Sequence, residues 1–151
     1  MVSLDTNILY YATNADCAEH GQAIKIYLKM LDSASSWIIA DQVLMEYYKL
    51  IRNPVVLENP LSALEAFECV DVIRNRSGCL HCSFESQHWS TVAEWLKRPG
   101  FPHTRVFDLV LAVTLMANGV ESFYTRNVRD FEPFGFFEVI DPIETTPANG
   151  S

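Results

Sequence analysis

The segment Val106 to Ala117 restricts the possible folds more than any other part of the chain. Its only polar side chains are Asp108 and Thr114. A helix that is apolar nearly all round is buried, so this chain must be able to enclose one. With 151 residues, 49% hydrophobic and 20% charged, it has the length and composition of one compact domain. A carboxylate inside such a helix must find a partner, a metal or a proton. Asp108 falls in the first turns, where the positive helix end also favours an anion. It has therefore both a structural and a chemical reading.

The rest of the chain alternates short apolar strands with helices. Strands are expected at Met1–Leu4, Ser36–Ala40, Ser122–Thr125 and Phe136–Ile140, with a short extended piece at Cys79–Phe84. Helical spacing or capping signals place helices at Ile8–Thr13, Gly21–Leu31, Gln42–Arg52 (Asp41 as N-cap), Leu61–Arg74, Gln87–Lys97 and Arg105–Ala117 (Thr104 as cap). Asn118-Gly119 ends the last of these. Strands apolar on both faces argue for a mostly parallel sheet covered by helices on both sides, an α/β three-layer sandwich. Residues 1–142 form the expected domain and 143–151 a flexible tail.

In open sheets of this kind, sites form beyond the carboxyl ends of the strands. Asp5 follows the first strand directly; as a lone residue it would also serve as a helix N-cap. Glu46 borders the apolar stripe of Val43, Leu44, Tyr47, Leu50 and Ile51, and would alone read as a surface glutamate beside Lys49. Thr125-Arg126-Asn127-Val128-Arg129-Asp130-Phe131 follows a strand and would alone read as a polar loop, with Asp130 paired to Arg126 or Arg129. Together, Asp5, Asn127 and Asp130 past strand ends and Glu46 and Asp108 early in helices converge on one sheet edge. Several oxygen donors there suit Mg2+ or Mn2+. Such a centre can orient water for in-line displacement at phosphorus.

These residues, in this order, resemble PIN-domain nucleases, most nearly the VapC-type toxins of bacterial toxin–antitoxin pairs. The resemblance runs from Met1 to about Pro142. It rests on Leu4-Asp5-Thr6-Asn7-Ile8-Leu9, Glu46, Arg105-Val106-Phe107-Asp108 and the Thr125–Phe131 cluster. It implies a metal-dependent endoribonuclease that hydrolyses RNA phosphodiester bonds with Mg2+ or Mn2+. Asp5, Glu46 and Asp108 would be acidic metal ligands. In the family's Thr-x-Asp-x-x-Asp-Phe pattern, Asn127 stands where the first acid belongs and Asp130 matches the second. The fourth position is thus shared between Asn127 as ligand and Asp130 as catalytic acid. Thr6, Asn7 and Thr125 would orient ligands or water, and Arg105, Arg126 and Arg129 would meet RNA. A cognate antitoxin and a homodimer are the implied protein partners. The alternative is an inactive PIN scaffold that binds RNA or protein, for which Asn127 speaks.

The net charge of −8 opposes general nucleic-acid affinity, though not chemistry on RNA at a carboxylate site. The opening residues lack the features of a secretory signal, no uncharged stretch approaches the ~20 residues of a membrane span, and a cytoplasmic home with free thiols is expected. Cys79-Leu80-His81-Cys82 has no second pair at zinc-finger spacing. A phosphotransfer receiver would need an acidic pair before its aspartate and a late lysine, and neither stands here.

Overall fold

A computed structural model describes residues 1–143. Five three-residue strands, β1 (Val2–Leu4), β2 (Ile38–Ala40), β3 (Leu80–Cys82), β4 (Ser122–Tyr124) and β5 (Glu138–Ile140), all pair in parallel. β1, β4 and β5 form one ladder and β2 and β3 another, and a single parallel bridge from Val2 to Trp37 joins them. The order across the sheet is therefore β3-β2-β1-β4-β5.

The helices are α1 (Thr6–Thr13), α2 (His20–Asp32), α3 (Asp41–Ile51), α4 (Ala63–Asp71), α5 (Trp89–Leu96), α6 (Val106–Ala117) and α7 (Val128–Phe131). Parallel crossovers are right-handed. The chain moves from β1 outward to β3 and then returns past β1 to β4 and β5. Helices α1 to α4 therefore cover one face and α5 to α7 the other. The packing agrees: α1 lies on α2 and α3, and α3 on α4, while α6 lies on α5 and α7. This is the expected three-layer α/β sandwich.

Several boundaries differ from the sequence-based expectation, each for a local reason. α1 begins at Thr6, not Ile8, because Asp5 caps it by accepting the Thr6 N–H at 2.8 Å. Asp41 is not a cap. It is the first residue of α3, and its carboxylate takes both Nε and one terminal nitrogen of Arg74 at 2.7 and 3.1 Å, a charge-assisted fork. α4 starts after Ser62, which forms a capping box with Glu65, and gives way to a π turn at Val72–Arg76. Thr104 does not cap α6; it lies in a 3-10 turn over His103–Arg105. The Gln87–Lys97 helix is split into a 3-10 turn at Ser86–His88 and α5. The segment read as a polar loop contains α7, whose Phe131 is buried. β5 starts only at Glu138, because Phe136 instead packs edge-on against Trp95.

α6 is buried at Leu109 and from Leu111 to Leu115, as its composition demands, but its first turn opens to the surface, where Phe107 is 74% exposed. Gly119, at φ +79°, closes the helix with its N–H on the Met116 carbonyl. Ile143 is buried, and its carbonyl accepts a terminal nitrogen of Arg126 at 3.2 Å. The remainder of the expected tail, 144–151, lies outside the described residues. No helix among the described residues is long and apolar enough to cross a membrane.

Phe123 lies on β4, between β1 and β5, fully buried and edge-on to both Phe131 and Phe137. Truncating it removes packing on which α7 and β5 both rest. Phe123→Ala is expected to destabilise the fold by about 3–5 kcal/mol, and Phe107→Ala by less than about 0.5 kcal/mol, as read from urea denaturation. Comparable losses for both would show that α7 and β5 do not rest on Phe123.

Candidate active cleft at the sheet switch point

The strand order reverses direction between β1 and β4, and a crevice opens at the carboxyl ends of strands at such a point. Asp5 continues β1 by one residue and Thr125 continues β4 by one. The register pairs Leu4 with Tyr124, so the two side chains arrive side by side. Thr125 donates its hydroxyl to Asp5 Oδ2 at 2.7 Å, and both residues are buried. The other Asp5 oxygen caps α1. Asp5 is thus at once the cap and the floor of the crevice.

Glu46 projects from α3, exposed, with Oε2 3.4 Å from the Thr6 hydroxyl, which also donates to the Val43 carbonyl at 3.1 Å. Gln42, one turn earlier, reaches Glu46 Oε1 at 3.4 Å and the Phe107 carbonyl at 3.1 Å, tying α3 to the start of α6. Lys49 forms no ion pair among the described residues. Asp108 is half-buried in the open first turn of α6, with Oδ2 3.3 Å from Arg105. Asn127 precedes α7, and its N–H donates to the Thr125 hydroxyl at 3.0 Å. Asn7 accepts the Arg126 N–H at 3.4 Å.

These groups line one cleft of about 240 Å³: Asp5, Thr6, Asn7, Gln42, Glu46, Asp108 and Asn127, closed by Leu50, Leu111 and Phe131. Asp130 is not in the lining. It stands behind Arg105, which holds it at 2.7 Å. Arg126 turns to Ile143 and Asp141, whereas Arg129 is exposed and forms no ion pair among the described residues. Sequence reasoning missed Gln42; its position four residues before Glu46 on one helix face was the available signal. A larger cavity of about 470 Å³ lies at the other end of α1, among Tyr10, Tyr27 and Tyr47, away from the strand-end carboxylates. Cys79 and Cys82 are free and buried, and burial pushes the Cys82 thiol up to about 12, which disfavours the thiolate that metal or redox chemistry needs.

Among the described residues no three acidic, histidine or cysteine side chains stand close enough to clasp an ion as placed. The lining nevertheless fits a hard divalent cation in its chemistry, being three carboxylates and three side-chain amides with no soft donor. Electrostatics points the same way. Burial pushes Asp5 up from 3.8 to about 6, and Glu46 and Asp108 add to the rise, against the hydrogen bonds from Thr125 and Thr6. Burial also raises Asp108; Arg105 opposes this, and Asp130 and Glu46 add to it. Added positive charge would relieve this mutual repulsion.

A raised carboxyl pKa in the fold means that the folded state binds a proton more tightly than the unfolded chain. The stabilisation is full below the unfolded value near 4 and is lost as pH rises to about 6. At roughly 1.4 kcal/mol per pKa unit, charged Asp5 costs the fold about 3 kcal/mol. Without divalent cations, Asp5→Asn is therefore expected to be more stable than wild type by roughly 2–3 kcal/mol at pH 8, with the gap closing between pH 6 and 4. Urea denaturation across that range checks this, and a gap independent of pH would contradict it.

No family model matches the chain. It is 41% identical over 146 residues to Ribonuclease VapC24 of Mycobacterium tuberculosis, covering 95% of this chain and 97% of that one. Ribonuclease VapC43 of the same organism is 25% identical over 89 residues, covering 59% of this chain and 60% of that one. Among solved structures, Mycobacterium tuberculosis VapC20, described as a sarcin-ricin loop cleaving toxin, superposes with a TM-score of 0.67 at 20% identity, covering 92% of this chain and 98% of that one. VapBC2 of Rickettsia felis, bound to a DNA fragment from its promoter, gives 0.64 at 17% identity, covering 93% and 98%. The crevice at the β1–β4 switch point and the near full-length match to VapC24 agree, and the chain belongs to the VapC family of PIN-domain ribonucleases.

Proposed function

We propose that this chain is a divalent-cation-dependent endoribonuclease and the toxin of a toxin–antitoxin pair. The observation that carries the reading is the cleft itself: Asp5, Glu46, Asp108 and Asn127 line one small crevice at the switch point of a VapC-family fold. Asp5, Glu46 and Asp108 would hold Mg2+ or Mn2+, with Asn127 as a neutral fourth donor. When bound, such an ion activates water and stabilises charge at phosphorus. Thr125 and Thr6 fix the Asp5 and Glu46 carboxylates by hydrogen bonds, and Asn7 holds the loop that carries Asn127. In the hydrolysis, the oxygen of water bonds to phosphorus, the bond from phosphorus to the leaving sugar oxygen breaks, and that oxygen gains a proton.

The negative surface makes general affinity for RNA weak, so local cations matter. Arg129, exposed and free of ion pairs among the described residues, supports a role in phosphate contact. The VapBC assemblies among the structural neighbours support an antitoxin as partner. Exposed Met45, Leu64 and Phe67 on α3 and α4 offer an antitoxin or a second copy an apolar face. Free thiols fit a reducing cytoplasm. Asn127, with one negative charge fewer than an acid, favours the second reading, a scaffold that binds without cutting.

Purified protein with structured RNAs is expected to cleave only with Mg2+ or Mn2+, and to stop on chelation. Asp5→Asn and Asp108→Asn are expected to lower the rate by about 100-fold or more, the scale of losing one electrostatic contact to a transition state. Arg129→Ala is expected to raise KM with little change in kcat. Equal residual RNA for wild type and both carboxylate variants across a broad panel would establish the scaffold reading instead.

A further inference from the structure

Arg105 connects two acids that belong to different elements. One terminal nitrogen lies 3.3 Å from Asp108 Oδ2 and the other 2.7 Å from Asp130 Oδ1. Asp108 has no other hydrogen-bond partner among the described residues. α6 has no side-chain cap, and its first turn is open to solvent. The Asp130 N–H in turn bonds the Asn127 carbonyl. A continuous link therefore runs from Asp108 on α6 through Arg105 and Asp130 to Asn127, joining two donors of the cleft. It claims Asp108 Oδ2 and leaves Oδ1 with no hydrogen bond from the described residues.

Resting on the cation-binding reading of the cleft, we propose that Arg105 is a positioning residue, clamped on Asp130, that fixes the Asp108 carboxylate with one oxygen free for the ion. It is not an RNA contact, because both terminal nitrogens are already taken by carboxylates. Asp130 is the anchor of the clamp and not a fourth ligand. Groups that hold a ligand's far side set its orientation, and their loss weakens metal binding by about 10–100-fold.

The charge of Arg105 makes the test sharp. A role through bulk electrostatics alone would give opposite signs: removing the cation would tighten metal binding, and neutralising Asp130 would loosen it. A clamp gives the same sign for both. The full-length chain, freed of metal, would be titrated with Mn2+ alone by calorimetry, and kcat and KM measured on a cleaved RNA at saturating Mn2+. Arg105→Ala and Asp130→Asn are each expected to weaken Mn2+ binding by about 10–100-fold and to lower kcat with KM unchanged. The double variant should be no worse than either single one, and Arg105→Lys should recover part of the loss. Both side chains are partly exposed, and circular dichroism will show each variant folded. Arg105→Ala binding Mn2+ as tightly as wild type or more so, or raising KM alone, would overturn the clamp. Asp108→Asn separates the two levels: if it binds Mn2+ like wild type, the cation reading of the cleft fails, and the clamp with it. If it alone loses Mn2+, only the clamp fails.

Discussion

The hydrogen bond from Thr125 to Asp5 is where the fold becomes a site. It spans the two strands at which the sheet reverses direction, and it forms in a place with almost no access to water. Each partner is the residue immediately after its strand, so the parallel register of β1 and β4 dictates their meeting. From that point the rest of the cleft is built outward. Asp5 caps α1, the second residue of the pair holds Asn127, and Thr6 reaches α3 and Glu46. A slip of one residue in the β1–β4 register would turn every one of these side chains to the wrong face.

The same arrangement carries an electrostatic cost. Three carboxylates share a small crevice, and the deepest of them is 6% exposed. A fold selected only for stability would not bury Asp5 beside Glu46 and Asp108, since among the described residues neither Asp5 nor Glu46 pairs with a cation. The one guanidinium nearby, Arg105, sits at the rim between Asp108 and Asp130. Leaving repulsion of this kind in place is characteristic of functional sites, where ionisation is tuned for chemistry at the expense of the fold.

Much of this was legible from residue order. The apolar run of α6, with Asp108 as its lone charge, requires a buried helix, and burial at Leu109 and from Leu111 to Leu115 follows that pattern. Alternation of short apolar strands with helices led to a parallel sheet, because strands covered on both faces need no polar alternation. The structure adds that Asp108 is not deeply buried: the 3-10 turn at His103–Arg105 brings α6 in at the surface. What sequence could not resolve was competition between partners. Asp41 had the form of a cap, but Arg74, far along the chain, outcompeted the backbone for it. Arg105 and Arg126 looked like cations free for RNA, and both are engaged by carboxylates or a carbonyl from other elements. α7 is not legible in the sequence, because a single turn has too little periodicity to stand out beside the polar residues around it.

The proposed cation would be shared by Asp5 and Asp108 in the crevice between β1 and β4. Anomalous diffraction from crystals of the full chain soaked in Mn2+ tests it most directly. A peak is expected in the cleft, at roughly 2.0–2.6 Å from carboxylate oxygens of both Asp5 and Asp108, with Asp130 still held by Arg105. A peak coordinated by Asp130 in place of Asp108, or no peak in the cleft of crystals that bind Mn2+ elsewhere, would contradict it.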